Sequence, residues 1–176
     1  MDPVIIEPAG PVTLVAATLA SLDAEDVSGD RLAGHLGVAA PPTWPPEHND
    51  ANTRGWMRSL LAEHPDEPGY GFWYIVAGGR LVGMCGYKGP PDGTGTVEIG
   101  YSVIEAEQHK GYGSAATAGL VARAFRDSRV MFVAGETLPP LEASQKVMIR
   151  NGFRLVSSRP DDEVGEILRF VRARST

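Results

Sequence analysis

Apolar positions along this chain recur with two different periods. Phe72 to Ala77, Leu81 to Tyr87 and Thr96 to Val103 are short runs rich in aromatic and β-branched residues, the signature of strands. Ala77-Gly78-Gly79-Arg80 predicts a tight hairpin between the first two, because paired glycines tolerate positive φ. Beyond Gly113 the period lengthens to that of a helix. Ala116, Leu120 and Ala124 fall beside Thr117, Val121 and Phe125, while Arg123 and Arg126 lie off that stripe. Arg129 to Glu136 then reads as a strand, Leu141 to Asn151 as a helix ending at Gly152, and Phe153 to Ser158 with Glu166 to Arg172 as a closing hairpin around Asp161-Asp162. Upstream, Pro11 to Ala17 predicts a first strand and Leu22 to Leu36 one helical stretch interrupted by glycines. Ala39 to Asp50, with four prolines around Trp44, predicts a loop, and Asn49 or Asp50 caps a helix running to Glu63. The order is mixed α and β, with helices separating antiparallel pairs.

At 176 residues the chain has the length of one domain able to bury a core without staples. The single cysteine, Cys85, excludes an intramolecular disulfide, and none of the four histidines stands at ligand spacing with it, so no metal is expected. A net charge of −6 argues against a nucleic-acid partner. No run approaches the ~20 apolar residues of a membrane span. Met1-Asp2-Pro3-Val4 carries an early acid and no basic region before an apolar run, which is unlike a secretory signal, so a cytoplasmic location is expected.

The segment with the most chemistry is Gln108-His109-Lys110-Gly111-Tyr112-Gly113-Ser114, between a strand and a helix. Backbone N–H groups at a helix start have no internal partner, and the helix dipole favours an anion there. Gly111 and Gly113 permit positive φ and close backbone approach, and Lys110 adds charge. The turn lacks the Gly-Lys-Ser/Thr ending of a nucleotide P-loop and the third glycine of a dinucleotide fingerprint.

Gln108, Gly111 and Gly113 match the signature of the GNAT superfamily of N-acetyltransferases: Gln or Arg, two residues, Gly, one residue, then Gly or Ala. The resemblance runs from about Pro11 to Arg172 and includes Val97-Glu98-Ile99-Gly100-Tyr101 and Arg150-Asn151-Gly152-Phe153. Val97 to Tyr101 and Trp44-Pro45-Pro46 look most like the branch related to ribosomal-protein N-terminal acetyltransferases. It implies one GNAT-like domain over residues 1–176, with a mixed, mostly antiparallel sheet, helices on both faces and splayed fourth and fifth strands, here Thr96 to Val103 and Arg129 to Glu136. It also implies acetyl-CoA as cosubstrate, with its pantetheine arm between those strands beside Val103 and Ile104. Its pyrophosphate would lie on the turn from Gln108 and His109 through Lys110, Gly111, Tyr112, Gly113 and Ser114 to Ala115. For Val103 and Ile104 plain core is the alternative.

Acyl transfer to an amine needs a neutral nucleophile, a polarised thioester carbonyl and a protonated leaving thiolate. Glu98, in an otherwise apolar strand where the resemblance puts a carboxylate base, is the candidate base; it could equally face solvent. Ser144 keeps the family's serine position and is the candidate acid, or a simple helix-start serine. Leu141 replaces the family's coenzyme-contacting Asn, and its helix tyrosine has no counterpart from Lys146 to Ile149. Trp44 and Trp56 are candidate walls of the acceptor site, or core. The function expected is N-acetyl transfer to a primary amine, of a peptide or a small molecule, by direct attack. A non-catalytic acyl-CoA sensor is the alternative, and relatives make a homodimer an expectation.

Overall fold

A computed structural model describes residues 4–176; the acidic start from Met1 to Pro3 lies outside the described residues. Eight strands form one sheet in the order β1-β2-β3-β4-β5-β6-β8-β7. They are β1 (Ile6–Ala9), β2 (Val12–Ala16), β3 (Phe72–Ala77), β4 (Arg80–Tyr87), β5 (Thr96–Val103), β6 (Phe132–Thr137), β7 (Arg154–Asp161) and β8 (Gly165–Ala173). Every neighbouring pair is antiparallel except β5 and β6. The helices are α1 (Leu19–Val27), α2 (Gly29–Leu36), α3 (Ala51–Glu63), α4 (Tyr112–Arg126) and α5 (Glu142–Arg150).

The sheet separates two apolar cores. On one face Val12, Leu14, Trp73, Ile75, Val97 and Ile99 meet Ala116, Leu120, Val121 and Ala124, the stripe whose spacing predicts α4. On the other, Tyr74, Leu81 and Met84 meet Leu22, Leu32 and Met57 from α1 to α3. Helices therefore lie on both faces, as expected.

Strand ends shift by a few residues, as at β6, which starts at Phe132 and not at Arg129, and two larger features also depart from expectation. The stretch Leu22 to Leu36 is two helices, because Ser28 takes an extended backbone (φ −173°) and its side chain accepts from the Arg31 amide at 3.1 Å, starting a second helix. A short strand, β1, also precedes the expected first one, which makes the expected fourth and fifth strands β5 and β6. The loop of residues 39–50 is tied down by a buried carboxylate. Glu25 accepts from Trp44 Nε1 (3.0 Å), Asn49 Nδ2 (2.6 Å) and the Tyr74 hydroxyl (3.0 Å). A carboxylate only 6% exposed is tolerable there because its oxygens are taken by donors.

Candidate acyl-transfer site

The parallel ladder between β5 and β6 is short. It runs from Thr96–Phe132 to Ile99–Gly135 and stops, although β5 continues to Val103 and β6 to Thr137. Past Ile99 the two strands splay. The Ile104 amide donates to Val82 O and the Lys88 amide to Glu98 O, so the even-numbered residues of β5 direct their backbone groups toward β4. By antiparallel alternation Tyr101 and Val103 direct theirs into the opening, where no strand pairs with them. The Val103 carbonyl accepts from Gln108 Nε2 at 3.0 Å, which folds the chain back toward the turn. Val103 therefore borders the opening, whereas Ile104 is buried with its amide committed to β4.

The turn curls because His109 and Gly111 both have positive φ, 63° and 84°. Alternation of this kind makes successive amides converge on a concavity. Gly111 caps α4 without a side-chain acceptor, so the first amides of the helix, at Tyr112, Gly113 and Ser114, open outward; the next, that of Ala115, returns to Gly111 O. Lys110 is not a free cation. Its ammonium lies 2.8 Å from Glu107, which also pairs with Arg80, and these partners hold the Glu107 carboxyl below its usual range. Gly113 serves packing: a Cβ there would lie 2.6 Å from Cε2 of Tyr101.

Asn151 steadies the helix start from across the site. Its Nδ2 donates to Ser114 O (3.3 Å) and Ser114 Oγ (3.3 Å), and to Val147 O (3.0 Å) within its own helix end. Ser144 lies in the first turn of α5. Burial pushes the Tyr101 phenol up, with Ser144 opposing. The packing of the Tyr101 ring against Gly113 escapes a linear reading, since Tyr101 looks like any apolar residue of a strand.

Glu98 lies on the opposite face of β5, where Lys88 pairs with one carboxylate oxygen and Arg169 approaches the other at 3.4 Å. Arg169 continues to Glu136 (3.1 Å), and Glu136 to Arg159 (2.7 Å), so Glu98 links Lys88 to a chain of ion pairs across β5, β8, β6 and β7. On the same face, past Glu98, a cavity of about 180 Å³ opens between the 46–49 loop, α3 and Gly100 to Ser102. Met57, Phe72 and Met84 make it mainly apolar, and Asn49, Thr53 and Ser102 supply polar groups. Trp44 is not in that lining: its ring is wedged beside Gly29 and Tyr74. Trp56 is also outside it and packs edge-on against Phe72, at 5.1 Å between centroids, so it backs a wall. Cys85 does line the cavity, but burial pushes its thiol up, which suppresses the thiolate a nucleophile needs. Among the described residues no cluster of metal-ligating side chains occurs.

Known structures share this architecture. The ribosomal-protein alpha-N-acetyltransferase RimL in complex with coenzyme A superposes with a TM-score of 0.72 at 19% identity, covering 96% of this chain and 98% of that one. An acetyl transferase from Salmonella typhimurium that modifies the N-terminal serine of a 50S ribosomal subunit protein gives 0.72 at 18% identity, over 97% and 100%. The microcin C7 self-immunity acetyltransferase MccE, in complex with acetyl-CoA and AMP, gives 0.68 at 14% identity, over 93% of each chain. In sequence, YjdG of Bacillus subtilis (strain 168), an uncharacterized N-acetyltransferase, is 26% identical over 136 residues, 76% of this chain and 80% of that protein. The Acetyltransferase (GNAT) domain matches residues 12–154, a span that contains the turn before α4, the open edge of β5 and the apolar cavity, and the chain belongs to the GNAT family of acetyltransferases.

Proposed function

We propose that this protein, acting as one domain in the cytoplasm, moves an acetyl group from acetyl-CoA to a primary amine by direct attack. The observation that carries the proposal is the unpaired edge of β5 at Tyr101 and Val103. It lies beside a helix start rich in free amides and backs onto an apolar cavity at Gly100 to Ser102. A pyrophosphate fits the concavity at His109 to Ser114, with Gln108 closing its base and Ala115 completing the first turn. An extended amide-bearing arm fits the β5 edge as an added strand, beside Val103 and over Ile104. Acetyl-CoA, when bound, supplies the activated thioester.

The acceptor amine enters from the cavity side. Glu98, on that face, takes the proton shed as the amide forms, through water and past Lys88 and Arg169. Ser144, on the far side of the opening, donates to the departing sulfur. Phe72, backed by Trp56, and the 46–49 loop, anchored by Trp44, shape the acceptor pocket. Its small apolar lining suits one side chain beside an amine, as in a peptide N-terminus or a compact small-molecule amine.

Thiol release from acetyl-CoA over a panel of amines and N-terminal peptides tests this function. Release with an acceptor supports it, whereas coenzyme binding without release identifies a non-catalytic sensor. Glu98→Gln should lower turnover about 10²- to 10⁴-fold at neutral pH while acetyl-CoA affinity holds, and raising the pH should partly restore the rate as the amine deprotonates itself. Because the substitution also strips Lys88 and Arg169 of a charged partner, melting is followed alongside. An unaltered rate and pH profile removes Glu98 from the mechanism.

A further inference from the structure

Among the described residues five glycines lie inside strands, and the fold requires four of them. A Cβ on Gly83 would collide with Ser102 O, one on Gly86 would lie 2.6 Å from Gly71 O, and one on Gly135 would lie 2.7 Å from Met148 Cε. Gly165 has a positive φ of 88°. Gly100 has neither reason. A Cβ there would meet nothing within 4 Å, its φ lies outside the left-handed region, and its pairing with Gly86 of β4 is regular. Glycine inside a strand costs stability, because it gives up more chain freedom than any other residue and has no side chain to pack. Where the fold does not demand it, such a glycine commonly marks the close approach of a ligand.

Its surroundings say which ligand. The last pair of β5 with β6 is Ile99–Gly135, so Gly100 is the first residue of the open segment. On the cavity face of β5 the order is Glu98, Gly100, Ser102, and the residues facing them on β4 are Lys88, Gly86 and Met84. Two facing glycines thus leave a strip of bare backbone between the Glu98–Lys88 pair and the apolar cavity, which Gly100, Met84 and Ser102 line. Ser102 Oγ donates to Glu47 O at 3.3 Å, so the 46–49 loop is held at one end of the strip and the candidate base stands at the other. Glu98 is two residues back, about 7 Å along the strand, which leaves room for an amine and one water between them.

We infer that Gly100 is the specificity-determining gap of the acceptor site: its missing side chain lets the amine cross the face of β5 from the apolar cavity to the thioester at the splay. The inference rests on the acetyl-transfer function proposed above. Gly100→Ala and Gly100→Val close the gap in two steps. Because a Cβ there meets open space, both variants should melt at or above the wild-type temperature and bind acetyl-CoA with wild-type affinity by calorimetry. The acceptors are ethylamine, benzylamine and a peptide with a free N-terminus. For each one that the wild type acetylates, kcat/KM should fall about tenfold in Gly100→Ala and about a hundredfold in Gly100→Val. A residue of merely structural importance would lose stability or coenzyme affinity along with activity. Wild-type kcat/KM in Gly100→Ala, or a loss there that comes with weaker acetyl-CoA binding or a lower melting temperature, overturns the inference while acetyl transfer stands. A wild-type protein that binds acetyl-CoA and acetylates none of the three overturns the proposed function, and the inference with it.

Discussion

Two glycines two positions apart at the start of α4 do different work. Gly111 has φ 84°, and a Cβ added there would meet nothing within 4 Å, so glycine is required by its backbone; Gly113 has ordinary space for its backbone but none for a side chain, because Tyr101 fills it. The two are sensitive to substitution for different reasons. Gly111→Asn should fold with little loss, since Asn tolerates the left-handed region, whereas Gly111→Ala should cost about 1–2 kcal/mol. Either side chain projects beside the convergent amides and should weaken coenzyme A binding by calorimetry. Gly113→Ala should instead push on the Tyr101 ring and destabilise by about 1–3 kcal/mol, visible in thermal melts. If Gly113→Ala melts like wild type, Tyr101 is not held as described. Both glycines are legible in the sequence as a motif, but their division of labour is not, because it depends on a ring contributed by another element.

At the scale of elements, the strands around the site are the most legible part of the fold. Thr96 to Val103 is found as expected, since Val97, Ile99, Tyr101 and Val103 alternate there as β-branched and aromatic residues, and Gly78 and Gly79 adopt the positive φ that the hairpin demands. What sequence periodicity misses are local hydrogen-bond switches and long-range pairings. Ser28 divides α1 from α2 through a single cap, and β1 carries Pro8 in only four residues, too short for a pattern. The splay is a property of where the β5–β6 ladder stops, which no local run encodes. Asn151 shows how such an opening is maintained, since it links the end of α5 to the start of α4. Asn151→Ala should lower coenzyme A affinity about fivefold, the worth of roughly 1 kcal/mol of hydrogen bonding, with the helix content unchanged by circular dichroism. Wild-type affinity in that variant would mean that packing alone orients the first turn of α4.

Across the whole molecule, ion pairs connect regions that the sequence places far apart, and their titration sets the pH range in which function can be read. Asp127, just past α4, accepts from the Tyr70 hydroxyl at 2.6 Å and from Arg129 Nη2 at 2.7 Å, and Arg129 also pairs with Glu67. The Arg129 hydrogen bond, with help from Tyr70, holds the Asp127 carboxyl well below the carboxylate range. Arginine pairs also lower Asp26 and Glu136. A carboxyl whose folded pKa lies below its unfolded value stabilises the fold fully above the unfolded value, near 4, and loses that contribution as pH falls through the folded one. Stability should therefore be flat with respect to these groups from pH 6 upward and decline below about pH 4. The phenols of Tyr70 and Tyr74 and the thiol of Cys85 are all pushed up, so they stay neutral at mildly alkaline pH, and the alkaline rescue of Glu98→Gln reads chemistry and not unfolding. Asp127→Ala isolates one member of the set. At pH 7 it leaves the half-buried Tyr70 hydroxyl without its acceptor and Arg129 with Glu67 alone, for an expected loss of about 1–2 kcal/mol, or about 2–8 °C in Tm. At pH 3 the difference from wild type should shrink, because the wild-type carboxyl is then giving up part of the same contribution. Calorimetric melts at pH 3, 5 and 7 measure both effects; a gap that stays constant across that range would show that Asp127 acts through packing and not through its charge.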